Sequence, residues 1–306
     1  MREEQISYFS DGTRVSGIVR TADIPIEGRR PAIIQGPGWL GLKDAKLYHR
    51  YHEALTKAGY LVMIFDYRGF GDSDGNSDVI SPALQLEDLI NGVTYLTSRP
   101  DVDPDNIGVF GSGGTGGGNA ILLAAADKRV RCVVSQVPVA DGADWLHRMR
   151  SEAEWYSFLE RLEKDRHTRV VTGKSELVHP REEIMVPTPE RRSTNVKGDV
   201  DGRIPTEVQL ISAEEILAYR PIDVVGLVSP VPLLIIAVEN DAVTPTDHAV
   251  ALYEKALPPK KLLMQRNTTH YAAYEQYGEI IAPEIVGWFD SYLTRGSIDT
   301  RAEGLH

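Results

Sequence analysis

Two polar residues late in the chain could work as a pair. The apolar run Leu233 to Val238 delivers Glu239-Asn240-Asp241, and the run Leu262 to Gln265 delivers Asn267-Thr268-Thr269-His270. A carboxylate that fixes the tautomer of an imidazole makes that imidazole a general base, so an acid after one strand and a histidine after the next is a chemically meaningful order. A histidine such as His270, taken singly, is more often structural; its pairing with Asp241 at matching strand ends carries the functional reading.

A third segment lies upstream. In IGVFGSGGTGGGNA, Ile107 to Ala120, a strand-like run enters six glycines between Gly111 and Gly118. Glycine is costly inside regular structure, so the cluster implies an unusual turn or a close backbone approach. Gly111-x-Gly113-x-x-Gly116 fits a dinucleotide fingerprint, but that motif expects an acid about 20 residues on, and the next strand ends Ser135-Gln136-Val137 without one. The rival chemistry is a nucleophile elbow, a strained strand-to-helix turn that projects a hydroxyl. Ser112 and Thr115 are the hydroxyls at hand. The loop Gln35 to Gly41 after another apolar run could bring the amide of Gly36, Gly38 or Trp39 to an oxyanion; Pro37 has no N–H to give. The loop Asp66 to Ser73 reads as a structural strand-to-helix turn.

These segments need strands and helices to hold them. Gln5 to Phe9 and Arg14 to Arg20 flank Asp11-Gly12 as an antiparallel hairpin. The runs Ala32 to Ile34, Leu61 to Phe65, Ile107 to Phe110, Val130 to Val134 and Leu233 to Val238 are continuously apolar. They alternate with helices expected at Lys46 to Ala58, Pro82 to Thr97, Ala120 to Ala126 and His248 to Ala256. That alternation is the mark of a mostly parallel sheet buried by helices on both faces, an α/β fold whose ligands bind at the carboxyl ends of the strands. About ninety residues between Val137 and Pro232 break the alternation. We read residues 140–223 as an inserted, largely helical cap and residues 1–139 and 224–306 as the core. Asp144 to Arg169 shows near-helical apolar spacing, with Trp145, Trp155 and Tyr156 read as the cap's own core ahead of the alternative of a substrate sleeve, and His147 best placed to line a pocket. Lys43 and Asp44 either touch substrate or begin a helix.

Thirty-three basic and 44 acidic residues among 306 give a net charge of −11, which opposes docking on nucleic acid or on anionic membrane. The single cysteine, Cys132, sits in an apolar run and reads as a buried hydrophobe. The N-terminus lacks the apolar stretch of a secretory signal, no window is long enough to span a bilayer, and the expected location is cytoplasmic. Histidines and acids show no zinc spacing, and neither metal nor cofactor is expected. The expected partner is a small-molecule substrate, with a homodimer as the default assembly.

With these segments in view the chain resembles the α/β-hydrolases, in the branch of dienelactone-hydrolase-like and peptidase-S9-like proteins with an inserted cap. The residues carrying the resemblance are Gly36 to Asp44 (GPGWLGLKD), Phe65 to Gly75 (FDYRGFGDSDG), the stretch Ile107 to Ala126, Val238 to Pro245 (VENDAVTP) and Thr269 to Tyr274 (TTHYAAY). The resemblance implies an α/β-hydrolase fold from Pro31 to Leu293, with Asp241 as triad acid and His270 as triad base. The nucleophile does not transfer cleanly. Counting GxSxG from Gly111 puts Gly113 at the nucleophile position; sliding by two gives Gly113-Gly114-Thr115-Gly116-Gly117, with Thr115 at the elbow. Amides near Gly38 and Gly114 would hold the oxyanion, beside Ser112. The implied activity is cleavage of a small or medium ester, lactone or amide by a hydroxyl or by water that His270 activates. The rivals are a lyase or isomerase using His270–Asp241 as base, and an inactive binding protein of the same fold.

Overall fold

A computed structural model describes residues 1–23, 28–189, 201–275 and 278–293; residues 190–200 of the expected cap, and Glu27 of the expected hairpin-to-sheet boundary, lie outside them. The hairpin forms as β1 (Arg2–Ser10) and β2 (Thr13–Thr21), joined by Asp11 and Gly12 at φ 45° and 82°. Two left-handed residues are what a two-residue hairpin turn requires. β3 (Arg30–Gln35), β4 (Leu61–Phe65), β5 (Val102–Ser112), β6 (Val130–Gln136), β9 (Leu233–Val238) and β10 (Lys260–Gln265) complete one eight-stranded sheet in the order β1-β2-β4-β3-β5-β6-β9-β10. Strands β4 through β10 in that order pair in parallel, while β1 and β2 run antiparallel.

The apolar runs are continuous because both faces of the sheet are covered. Ile34, Leu61 and Met63 pack into one core with the helices Pro82–Ser98 and Gly114–Ala126. Their neighbours Ile33 and Val62 face the other way and pack with Leu55, Ile285 and Phe289 of the helices His49–Lys57 and Gly278–Tyr292. At roughly 25 cal/mol per Å² of apolar surface removed from water, this two-sided burial is the main term holding the sheet.

Two expected helices are redrawn. The helix after β5 starts at Gly114, not at Ala120, so most of the glycine cluster is helical. Close packing explains it: a Cβ on Gly117 would stand 2.7 Å from the Gln136 carbonyl oxygen, and one on Gly118 would overlap the Tyr219 hydroxyl. The helix expected over Asp144 to Arg169 divides into Gly142–Arg148 and Glu152–Thr172. Ser151 and Glu154 form a reciprocal cap at the division, and Gly173 ends the second helix at φ 73°. A short pair unforeseen in the sequence, β7 (Leu177–Val178) with β8 (Val208–Gln209), ties the excursion between β6 and β9 to itself. Among the described residues no helix is long and apolar enough to cross a membrane.

Candidate active site

Strands β4 and β5 lie on opposite sides of β3, so the loops after β3 and β5 diverge and leave a crevice at the carboxyl edge. A cavity of about 460 Å³ fills it, in the range of small-molecule sites. Its walls bring together Gly38 and Trp39 after β3, Ser112, Gly113 and Gly114 after β5, and His270 after β10. The outer wall comes from the excursion: Trp145, Arg181, Met185, Arg203 and Ile204.

The histidine and the acid meet. His270 Nδ1 lies 2.7 Å from Asp241 Oδ2, both groups buried. The other carboxylate oxygen accepts from the backbone N–H of Val243 at 2.8 Å and of Thr244 at 2.9 Å, and the Thr244 hydroxyl donates to Oδ2 at 3.0 Å. Burial pushes the Asp241 carboxyl up, but the His270 charge and hydrogen bond, with the two amides, outweigh it and hold the group below its ordinary range. A carboxylate so fixed takes the Nδ1 proton as its own hydrogen bond and leaves Nε2 to accept a proton from the cavity.

Gly113 caps the helix Gly114–Ala126 at φ 83° and ψ 164°, a conformation reserved almost wholly for glycine. An added Cβ would meet only Gly38 Cα at 3.5 Å and the Tyr274 hydroxyl at 3.9 Å, ordinary contacts with room toward the cavity. The turn between β5 and the helix is therefore made at residue 113. Gly114 opens the helix, where amides have no intrahelical acceptor and the dipole favours negative charge. The Gly38 amide, expected as a second oxyanion donor, instead gives its proton to the Tyr48 hydroxyl at 3.1 Å.

Three expected site residues stand elsewhere. Thr115 is the second residue of the helix, its side chain buried in the core and absent from the cavity wall; the frame sliding two residues is corrected because the helix has already begun. Gly36 packs under Tyr67, whose hydroxyl a Cβ there would overlap. His147 stacks on Trp155 with centroids 4.7 Å apart and meets Glu152 at 2.9 Å, on the outer side of its helix. Ser112 lines the cavity with its hydroxyl 3.4 Å from Gln136 Oε1. Of the two residues left open after β3, Lys43 is structural: its ammonium, fully buried, lies 2.6 Å from both Asp66 and Asp72. Asp44 does reach the cavity wall.

Sequence reading missed Thr244, Tyr48 and Tyr274. Tyr274 had a signal: it stands four residues after His270 on the helix His270–Glu275, hence on the same face. No group of three or more metal-binding side chains occurs among the described residues.

Sheet order, elbow, acid and histidine together define an α/β-hydrolase-type enzyme. The chain belongs to the X-Pro dipeptidyl-peptidase (S15) family, whose pattern matches residues 25–272. It is 33% identical over 292 residues to an Escherichia coli protein described as an uncharacterized 31.7 kDa protein of the traX-finO intergenic region, covering 93% of this chain and 99% of that one. Thiohydrolase aneE of Aspergillus aculeatus is 23% identical over 270 residues, 80% of each chain. In structure it resembles the α/β hydrolase GrgF from Penicillium sp. sh18, with a TM-score of 0.78 at 22% identity over 96% of this chain and 99% of the other.

Proposed function

We propose that this enzyme hydrolyses a small or medium acyl compound, an ester or thioester foremost, by attack of water that His270 activates, without an acyl-enzyme at position 113. The observation that carries the reading is the buried Asp241–His270 pair, which opens into a cavity whose elbow residue, Gly113, has no side chain to attack with. A thiohydrolase among the relatives supports acyl chemistry at this edge of the sheet. His270 Nε2 takes one proton from water as the oxygen bonds to the acyl carbon. The carbonyl electron pair moves onto its oxygen, held by the Gly114 amide, a contribution of about 3 kcal/mol for one donor. Collapse expels the alcohol or thiol, which leaves with the proton from His270. Residues 140–223 act as a cap that selects the acyl group, since they supply the outer wall.

The test is a panel of aryl esters and acyl thioesters assayed with wild type, His270→Ala and Thr115→Ala. Hydrolysis should fall about 10²- to 10⁴-fold in His270→Ala and persist in Thr115→Ala. Loss in both variants would return the nucleophile to Thr115. Tight ligand binding without turnover would make the protein a binding member of the fold.

A further inference from the structure

The cavity wall holds a polar atom beside His270 that the catalytic scheme leaves unused. Tyr274 is buried, its hydroxyl has the Ser112 hydroxyl as its one polar neighbour and makes no other hydrogen bond among the described residues, and its ring meets the His270 imidazole edge-on at 5.4 Å. A buried hydroxyl so sparsely partnered is costly, and it calls for an account of what else could use it. The same hydroxyl stands 3.9 Å from the place a Cβ would take on Gly113, so it borders the space that the missing side chain leaves open. The helix that begins at His270 sets this geometry by placing the two residues one turn apart.

We propose that Tyr274 holds the attacking oxygen beside Gly113, accepting one O–H of the water while His270 Nε2 takes the other. This deepens the hydrolytic reading and rests on it. The water lone pair then points at the acyl carbon, one bond forms between them, one proton passes to His270, and the phenol keeps its own proton throughout. Burial pushes the phenol well above its ordinary range, with the nearby Ser112 hydroxyl opposing that only in part, so it stays neutral. Trp39, whose indole N–H is also buried without a partner in the wall, is left to the substrate.

Tyr274→Phe removes a single oxygen whose one polar neighbour within the protein is the Ser112 hydroxyl. The expected result is an unchanged or raised melting temperature and an unchanged KM, with kcat lower by about 10- to 100-fold, the cost of a misplaced reactant. Equal kcat in the two proteins overturns the proposal. A second arm is independent of wild-type turnover: Gly113→Ser is compared with Gly113→Ser/Tyr274→Phe for labelling by a fluorophosphonate. The phenol that steadies a water should steady a serine oxygen, so labelling about tenfold slower in the double variant is expected. Equal labelling rates sink the role of Tyr274. Absence of wild-type hydrolysis, with labelling that still depends on Tyr274, sinks only the hydrolytic reading.

Discussion

Gly113 concentrates the chemistry of this site at one residue. Its conformation is open to glycine at low cost and strained for any other residue. Replacing it by serine is expected to cost about 1–3 kcal/mol of stability, measured by urea unfolding, and to make the protein reactive toward fluorophosphonates, measured by intact mass. An unreactive but folded variant would show that the bend aims away from His270. In the proposed mechanism Asp241 acts through His270. Asp241→Asn keeps the shape but would hold His270 in the tautomer that cannot accept a proton, and kcat should drop on the order of 10⁴-fold with KM little changed. Stopped substrate turnover alongside retained ligand binding checks this. Asp241 and His270 were legible in the sequence because each follows an unambiguous strand. The frame of the turn after β5 was not, because eight consecutive residues of glycine, serine and threonine allow several turns, and only the start of the helix at Gly114 distinguishes them.

Among the elements, the glycine-rich helix depends on closeness. Its first turns lie against β6 and Tyr219, whose hydroxyl is 3.0 Å from the Thr115 carbonyl oxygen. Gly118→Ala should therefore destabilise by about 1–3 kcal/mol despite alanine's better helix propensity, a sign that thermal unfolding would read directly. Another element-level device is a buried cluster between β2, the helix His49–Lys57 and β3. Arg20 Nη1 donates to His52 Nδ1 at 2.6 Å, and His52 Nε2 donates to Gln35 at 2.6 Å, so both ring nitrogens are committed in the neutral form. Burial first, then the Arg20 charge, pushes His52 well below the ordinary histidine range. The unfolded chain binds this proton near pH 6.5 and the folded chain does not. Stability is thus full above that pH and falls as pH drops below it, by up to about 1.4 kcal/mol per pH unit. Denaturation at stepped pH should show this slope, and a folded His52→Gln variant should show a shallower one; equal slopes would exclude His52 as the cause. Nothing in the sequence pointed to the cluster, whose members are 15 to 32 residues apart and carry no motif.

For the whole molecule, the excursion and the sheet edge enclose the cavity between them. Arg203 joins the two, meeting Asp201 of its own segment, Asp44 at 2.7 Å and Asp72 at 3.1 Å. Its exposed ion pairs are each worth about 0.2–1 kcal/mol, so Arg203→Met should raise KM by up to about fivefold while kcat holds, as Michaelis profiles would show. A large fall in kcat would instead place Arg203 beside the reacting atoms. The layered α/β architecture, the strand ends that carry Asp241 and His270, and the long interruption before β9 were all legible in the order of residues. These follow from local patterns: apolar runs, helix stops and turn residues are written in consecutive positions. Contacts across the fold were needed to show that residue 113 makes the turn before the helix, that Thr115, Gly36 and His147 stand apart from the cavity, and that Tyr274 borders it. Those outcomes depend on which atoms approach across the fold, and contact between distant segments leaves no periodicity in the chain to read.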